Sequence, residues 1–285
     1  MKILVAITHF YNPEGGGGYA SLQPDPEPRI AALTESLRAL FGLFGQQQSW
    51  FRYTDRLHEL PANRSEAMEL EVVICPPNGY HLLDEIPVPG EAYRHHETNA
   101  EHKYLGYECH QVLAGEAGNY DYYVYLEDDL VLHDPLHFDK LKWFSACAGD
   151  DCLLQPNRYE LNFQQGVKRA YIDPEDETPR RLEAGYLHDE RFAIKFLGRK
   201  FGFRRTNNPH AGCFFLNAAQ VERWVAHESF GVHENIMYGP LESAASWSIS
   251  RAFKVYKPGP RNANFLEIRH FGDAWSRKIY NTTFT

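Results

Sequence analysis

Runs of apolar, β-branched and aromatic residues alternate along much of the chain with segments in which apolar residues recur every three or four positions. The first pattern is typical of buried strands, and the second is typical of helices that pack on a sheet. The predicted strands cover residues 2–10, 70–75, 122–126, 152–155, 212–216, 255–256 and 265–270. The predicted helices cover residues 29–44, 100–113, about 135–144, a segment through Val221 and Trp224, and 240 to about 253.

This order of elements predicts an α/β protein with a mixed, mostly parallel central sheet flanked by helices. Between Tyr159 and Asn208 the pattern degrades into short strands and turns, which indicates an irregular insertion. The sequence has no internal repeat and no linker rich in Pro, Gly or Ser, so its 285 residues are expected to form one domain, 1–285. Asn217 is the predicted N-cap of the helix through Val221.

The most informative segment is the predicted strand at 122–126, which ends in three adjacent carboxylates, Glu127, Asp128 and Asp129. Three anions at a strand end are costly to desolvate unless a cation or strong hydrogen-bond donors lie beside them. Hard divalent ions such as Mn²⁺ or Mg²⁺ prefer oxygen ligands and often share one or two carboxylates with a substrate phosphate. The segment therefore predicts a metal-bound phosphate compound at the carboxyl edge of the sheet. The alternative interpretation is an acidic turn that leads into the next helix.

Composition narrows the class of protein. A formal net charge of −9 argues against a protein that coats nucleic acid. The sequence contains no run of about 18 apolar residues, so no transmembrane segment is expected. The apolar start, Met1 to Ile7, is too short for a secretion signal, and the five cysteines are odd in number and form no CxxC pair. These features predict a cytoplasmic protein with free thiols.

Four short motifs, in their order along the chain, resemble those of the GT-A glycosyltransferases, which use nucleotide sugars as donors. The acidic triplet that ends in Asp129 stands where that family has its Asp-x-Asp motif, whose last acid holds the metal on the donor diphosphate. His210, Ala211 and Gly212 precede a strand and resemble the glycine-containing loop that faces the donor sugar. These three residues are therefore expected to contact the donor.

The third motif is Leu241-Glu242-Ser243, and the fourth is His270. Glu242, at a predicted helix start, looks like the acidic residue that often supplies the catalytic base, and His270 sits where many members place a further metal ligand. If the reaction inverts the anomeric centre, Glu242 deprotonates the acceptor hydroxyl; if it retains configuration, Glu242 only orients the sugar. The alternative interpretations are a hydrogen-bonded core histidine at 270 and a helix-start acid at 242 that complements the macrodipole.

The resemblance implies a single Rossmann-like GT-A domain. Its first half, 1–158, would mainly bind the nucleotide sugar and the metal, and its second half, 159–285, would mainly bind the acceptor. The expected donor is a UDP- or GDP-sugar, and the expected acceptor hydroxyl belongs to a glycan, a lipid-linked molecule or a small molecule. The strand at 70–75 ends in Cys75, where many members place an acidic residue that reads the base, so the choice of base stays open.

The resemblance also implies a site for Mn²⁺ or Mg²⁺. Asp129 is the first expected ligand and His270 the second, while Glu127 reaches the metal through water or holds a sugar or ribose hydroxyl. Asp128 points to the opposite side of the strand because side chains alternate, so it is expected to be structural or to contact the sugar.

Other residues complete the predicted site. Thr8 and His9 end the first strand and are candidates for contacts with the base or ribose. Arg204 and Arg205 belong to a basic stretch, interleaved with phenylalanines, that is expected to bind the acceptor. The alternative for this stretch is a solvated pair of strands.

Two other functions also account for the acidic triplet. A metal-dependent phosphohydrolase or nucleotidyltransferase also uses clustered carboxylates beside a sheet, but it should show a further acidic pair or a catalytic Lys or His at another strand end. A non-catalytic nucleotide-sugar-binding protein of the same fold would keep the site without turnover.

Overall fold

The computed structural model describes residues 1–16, 18–65, 68–163, 169–173, 190–233 and 239–281. This part of the chain is a mixed α/β structure with fifteen strands and seven α-helices. The strands are β1 Lys2–Thr8, β2 Ser49–Tyr53, β3 Leu57–Pro61, β4 Glu69–Cys75, β5 Arg94–His95, β6 Tyr122–Glu127, β7 Leu130–Val131, β8 Cys152–Leu154, β9 Asn157–Glu160, β10 Ala170–Tyr171, β11 Arg191–Phe196, β12 Arg199–Arg205, β13 Cys213–Asn217, β14 Lys254–Pro258 and β15 Glu267–His270. The helices are α1 Glu27–Phe44, α2 Leu105–Gly115, α3 His137–Ala148, α4 Ala218–Val225, α5 Pro240–Ala244, α6 Trp247–Ala252 and α7 Ala274–Asn281.

The central sheet has five strands in the order β13-β6-β1-β4-β5. Strands β6, β1, β4 and β5 are parallel, and β13 runs antiparallel beside β6. Thr8 of β1 lies opposite both Cys75 of β4 and Glu127 of β6, so three carboxyl ends meet at one edge. Ligands of parallel sheets bind at such an edge.

The central sheet is covered on both faces. Ile3 and Ile7 of β1 share a buried cluster with Leu37 of α1. Leu4, which points to the other face, belongs to a second buried cluster with Leu113 of α2. Because both faces of the sheet are buried at β1, the strand is a continuous apolar run and does not alternate between apolar and polar residues.

Three smaller sheets complete the described structure. A four-stranded sheet has the order β10-β9-β15-β7, another has the order β11-β12-β14-β8, and β2 and β3 form a separate hairpin. Strand β7 follows β6 after only Asp128 and Asp129, so the chain passes directly from the central sheet into the first of these smaller sheets. The acidic triplet therefore lies at the junction of two sheets.

Most predicted elements are present with shifted ends. The predicted N-cap is confirmed: the side chain of Asn217 accepts from the backbone N–H of Gln220, and the Gln220 side chain accepts from the N–H of Asn217. The helix predicted at 100–113 begins only at Leu105, after a short 3-10 turn at His102–Tyr104. The helix predicted near 135–144 is displaced to His137–Ala148.

The single helix predicted from 240 to about 253 is wrong. The segment forms two short helices, α5 and α6, because Ser246 has non-helical angles of φ −138 and ψ −49. The Ser246 hydroxyl donates to the carbonyl of Glu242, a local bond that competes with continued helix. The hairpin β2–β3 and the helix α7 were not predicted.

No helix in the described ranges is long and apolar enough to cross a membrane.

Candidate functional site

The two predicted metal ligands, Asp129 and His270, lie side by side. Strand β15 pairs with β7 so that His270 is opposite Leu130, and the Nε2 atom of His270 is 3.6 Å from Oδ2 of Asp129. The backbone carbonyl of Asp129 accepts from the N–H of Phe271 at 2.8 Å, which fixes the turn against β15. Among the described residues, the buried Oδ1 atom of Asp129 has no hydrogen-bond partner. This carboxylate oxygen therefore has unused hydrogen-bonding capacity.

The second ring nitrogen of His270 is held by Glu160. The Nδ1 atom lies 2.9 Å from Oε1 of Glu160, whose side chain is fully buried on β9. Glu160 also accepts from the backbone N–H groups of Trp275 at 3.2 Å and Ser276 at 2.6 Å, in the first turn of α7. A histidine that donates from one nitrogen to a carboxylate presents the other nitrogen in a fixed direction, as metal-ligating histidines do.

Neighbouring charged groups shift the pKa values of His270 and Glu160 in the direction opposite to the effect of burial. Burial alone would lower the pKa of His270, but Asp129 and Glu160 raise it above its ordinary value. Burial alone would raise the pKa of Glu160, but hydrogen bonds from His270 and Ser276 hold it below its ordinary value. Glu160 is therefore a carboxylate at neutral pH and an acceptor for both groups.

Asp128 has a different environment. It is buried; its Oδ2 atom lies 2.6 Å from Nδ1 of His9, and its Oδ1 atom accepts from Arg29. Arg29 also donates from Nη1 to Oδ2 of Asp129 at 3.1 Å, so one guanidinium joins two members of the triplet. Burial alone would raise the pKa of Asp128, but Arg29 and His9 hold it below its ordinary value.

His9 is likewise engaged within the protein. Its Nε2 atom accepts from the backbone N–H of Leu82 at 3.0 Å, so its Nδ1 carries the proton that is donated to Asp128. Thr8 is largely buried and is hydrogen-bonded to Tyr125. The structure thus gives Asp128, His9 and Thr8 partners inside the protein, and their contact with a donor stays a prediction.

Glu127 and Gly212 are in close contact. The N–H of Glu127 donates to the carbonyl of Gly212 at 3.0 Å, and a Cβ atom on Gly212 would lie 2.4 Å from Oε2 of Glu127. Gly212 also has φ +61, which L side chains rarely adopt. Both the φ angle and the close contact with Glu127 favour glycine at this position.

The carboxylate of Glu127 is the member of the triplet with the raised pKa. Burial, together with the nearby charges of Asp129 and Glu242, raises the pKa of Glu127 to about 7, although Arg158 and His270 oppose this. The Nη1 atom of Arg158 lies 3.8 Å from Oε2 of Glu127. The charge of Glu242 is the weakest of these influences, and it shows that the two carboxylates are near enough to interact electrostatically.

Helix α5 positions Glu242. It follows Pro240 in the first turn of the helix and is partly exposed. Its carbonyl accepts from Ser246, whose hydroxyl also lies 3.3 Å from Nδ1 of His210. Glu242 and the loop at 210–212 are therefore neighbours on the β13 side of the triplet.

A buried charged network lies behind this loop. The Nζ atom of Lys257 donates to the carbonyl of His210 at 2.8 Å and lies 3.4 Å from Asp173, which also pairs with Arg158 at 2.7 Å. Burial alone would raise the pKa of Asp173, but Lys257 and Arg158 hold it well below its usual range. Burial lowers the pKa of His210 to about 3, so its ring is neutral, and Ala211 is fully buried.

The predicted acceptor residues lie on another sheet. Arg204 and Arg205 belong to β12, where Arg204 pairs with Lys257 of β14, and Nη1 of Arg205 is 3.8 Å from Glu190. The irregular insertion expected at 159–208 is described only in part, because 164–168 and 174–189 lie outside the described residues. Acceptor binding by these arginines stays a prediction.

A cavity of about 390 Å³ opens at the carboxyl ends of β1 and β4. Its lining includes Phe10, Asn12, Asn78, Tyr80 and His102. The rings of Phe10 and His102 stack with their centroids 4.6 Å apart and form one wall. This cavity was not predicted, although polar and aromatic residues directly after two strand ends were a usable signal.

The arrangement of the described side chains restricts the kind of metal site that is possible. Within the described ranges, no group of three or more His, Cys, Asp and Glu side chains is arranged to hold a metal ion by itself. The carboxylate of Asp129 and Nε2 of His270 are two candidate donor groups that lie 3.6 Å apart. Two protein ligands completed by water and a substrate phosphate are a common arrangement for Mg²⁺.

No protein-family model matches the sequence, and a comparison with curated proteins finds no significantly similar relative.

Proposed function

We propose that the protein is a metal-dependent glycosyltransferase of the GT-A type, which transfers a sugar from a UDP- or GDP-sugar to an acceptor hydroxyl. The observation that carries the proposal is the unpaired, buried Oδ1 atom of Asp129, with Nε2 of His270 beside the same carboxylate. An uncompensated buried carboxylate oxygen costs free energy unless a ligand uses it. Its location at the carboxyl edge of parallel strands is where such ligands bind.

The surrounding sheet supports the same proposal. Parallel strands β4, β1 and β6, with antiparallel β13 beside β6, agree with a Rossmann-like nucleotide-binding half. The cavity beside Phe10 and Tyr80 has the size and the aromatic and amide lining expected for a nucleoside. A nucleoside there would extend its diphosphate along the strand ends toward Asp129.

Asp129 and His270 are the residues that would hold a divalent cation. When bound, such a cation would supply Lewis-acid stabilisation of the negative charge on the leaving diphosphate. Arg29 fixes Asp129 from one side, and Glu160 fixes His270 from the other. The protein thus holds both ligand side chains in place by charge-assisted hydrogen bonds.

The remaining residues have roles that their positions allow. Glu242, beside the triplet and partly exposed, is the proposed base for the acceptor hydroxyl. Gly212 lets the loop approach Glu127 closely, which would leave the donor sugar against backbone rather than against a side chain. Arg158 places a buried positive charge 3.8 Å from Glu127 and partly balances the carboxylates.

A thermal-shift panel tests the proposal. UDP-, GDP-, CMP- and dTDP-sugars are added with and without Mn²⁺ to the parent, to Asp129→Asn and to Asp139→Asn. Asp139 is an exposed aspartate of α3 and serves as the matched control. We expect one nucleotide class to stabilise the parent only with Mn²⁺, by about 2.7 kcal/mol at a ligand concentration one hundred times Kd. The shift should persist in Asp139→Asn and disappear in Asp129→Asn.

Two results would contradict the proposal. Stabilisation by nucleotide without any metal dependence would remove the role given to Asp129, and equal shifts in both variants would do the same. Metal-dependent binding without transfer or donor hydrolysis would instead identify a binding protein. Release of phosphate from simple phosphate esters would favour a phosphohydrolase.

A further inference from the structure

The hairpin β2–β3 combines full exposure with large apolar side chains. Every residue of both strands is exposed. The exposed fractions are 69% for Trp50, 64% for Phe51, 81% for Tyr53, 64% for Leu57 and 43% for Leu60. A lone two-stranded hairpin is only marginally stable in water, and contiguous exposed apolar groups mark interaction sites. The hairpin is therefore expected to dock on another surface.

Two hydrogen bonds show which backbone groups of the hairpin point outward. The N–H of Thr54 donates to the carbonyl of Arg56 at 3.0 Å, and the N–H of Ala62 donates to the carbonyl of Gln48 at 2.8 Å. Hydrogen-bonded pairs alternate along antiparallel strands. The even-numbered residues of β2 therefore bond to β3, and its odd-numbered residues direct their N–H and C=O groups to the open edge.

The two open edges of the hairpin differ in chemistry. The outward groups of β3 include those of Pro61, which has no N–H, and Glu59, a charged residue whose carboxylate accepts from Ser49. Proline and charge are the features that protect an edge strand from pairing. The outward positions of β2, which are Ser49, Phe51 and Tyr53, carry neither. The edge of β2 is thus open to another strand.

The sequence of β2 complements itself when two copies run antiparallel about Phe51. Phe51 then faces Phe51 of a second copy, and Ser49 faces Tyr53, all through outward backbone groups. Trp50 faces Arg52 in a pair whose side chains approach most closely, an arrangement that favours a cation–π contact. No two like charges are opposed in this register. The pairing would extend the hairpin to a four-stranded sheet.

Charge favours a second copy over a lipid or nucleic-acid surface. The hairpin carries two arginines, Arg52 and Arg56, and two acids, Asp55 and Glu59, so its own charges balance. An anionic surface attracts basic segments, and this hairpin offers no excess of positive charge. Its tip, with Asp55 and Arg56, is also too polar to enter a bilayer first.

We propose that β2 is a self-association edge, through which two copies of this chain pair antiparallel about Phe51. Cysteine cross-linking tests the register. Cys147 is an exposed free cysteine, so it is replaced first by Cys147→Ser. Phe51→Cys is then compared with Glu59→Cys, which occupies the directly opposite position on the protected edge of the same hairpin. Cα atoms of a hydrogen-bonded antiparallel pair lie about 5.5 Å apart, a distance that a disulfide spans.

Mild oxidation should convert most of the Phe51→Cys chain to a covalent dimer, while Glu59→Cys stays monomeric. Sedimentation velocity of the parent over roughly a hundredfold range of concentration should show a reversible monomer–dimer equilibrium. Equal cross-linking of both variants, or a parent that is monomeric throughout, would overturn the proposal. A monomer that instead co-sediments with phosphatidylcholine–phosphatidylglycerol vesicles would also overturn it and would assign the hairpin to a lipid surface.

Discussion

Three adjacent carboxylates of one sequence motif have three different environments. Asp128 is buried against His9 and Arg29, Asp129 keeps one oxygen without a partner among the described residues, and Glu127 has a pKa raised to about 7. The difference arises because alternate side chains leave the strand end in different directions. Sequence adjacency therefore does not imply a shared role. Of the three, only Asp129 has a buried carboxylate oxygen without a hydrogen-bond partner among the described residues.

The contact between Gly212 and Glu127 gives a test at the scale of one atom. Gly212→Ala must accept both φ +61 and a Cβ atom 2.4 Å from Oε2 of Glu127. We expect it to lose more than the roughly 1–2 kcal/mol that a left-handed conformation alone costs an L residue, because Glu127 must also move. Gly118→Ala is the control, since Gly118 has φ +92 but no atom within 4 Å of an added Cβ. Urea unfolding of both variants measures the difference, and equal losses would show that the close contact adds nothing.

Glu242 provides a second test, one of catalysis rather than of stability. Glu242→Gln keeps the size of the side chain and removes its basicity. Loss of a general base typically lowers turnover by about 10²–10⁴, while metal-dependent nucleotide binding should stay normal. Glu222→Gln, at an exposed position of α4, is the matched control. Sugar transfer by the Glu242→Gln variant at close to the parent rate would return Glu242 to a structural role at the helix start.

At the scale of elements, α4 is held at its start by the capping box of Asn217 and Gln220. The Asn217 side chain also donates to Asp150 at 2.8 Å. Asn217→Ala should lower the free energy of unfolding by about 1 kcal/mol, because an N–H at the helix start loses its acceptor. Asn217→Ser keeps the acceptor and loses the donor, so urea unfolding of the two variants separates the cap from the contact with Asp150. Identical losses would assign the effect to Asp150.

The sequence allowed prediction of the elements that have a buried face, because burial produces a regular spacing of apolar residues. Strand β1 is buried on both faces and α1 has one apolar stripe, so both elements can be predicted from the sequence. The hairpin β2–β3 is exposed at every position, so it has no buried face and no period to detect. The break at Ser246 depends on a hydroxyl that bonds the carbonyl of Glu242, a choice that helical spacing does not encode.

The candidate site was likewise predicted only in part from the sequence. Asp129 and His270 were proposed as ligands from the resemblance to GT-A motifs, and the structure brings Nε2 of His270 to 3.6 Å from Oδ2 of Asp129. Arg29, Arg158 and Glu160, which hold these residues and their neighbours, were not predicted. Arg29 lies in α1, and Arg158 and Glu160 both lie in β9. None of them carries a local signal, because their roles come from pairing with residues far away in the chain. Charge pairs of this kind become visible only with the topology.

At the scale of the whole molecule, buried neutral histidines make stability depend on pH. Burial lowers the pKa of both His110 and His137 to about 3. Below the ordinary histidine value near 6.5, the unfolded chain binds protons that the folded protein does not, so stability falls as pH falls. At pH 5 the loss is about 2 kcal/mol for each histidine. Urea unfolding at pH 7.5 and pH 5 measures it.

His137 offers the control for this prediction. Among the described residues, neither of its ring nitrogens has a hydrogen-bond partner, and its ring packs 4.5 Å from that of Phe215. His137→Leu should therefore stabilise the protein and reduce the loss between pH 7.5 and pH 5. An unchanged pH dependence in this variant would show that other groups cause the acid sensitivity.

The order of strands in the small sheet has a consequence for synthesis. Strand β15 lies between β9 and β7, yet it follows both in the chain by more than a hundred residues. Until β15 has emerged from the ribosome, β7 and β9 lack the strand that pairs with both of them, and Asp129 has no His270 beside it. Pairing over such a separation is slow and leaves open edges for chaperones to cover. A nascent chain can thus pair β1, β4 and β6 before β15 brings His270 beside Asp129.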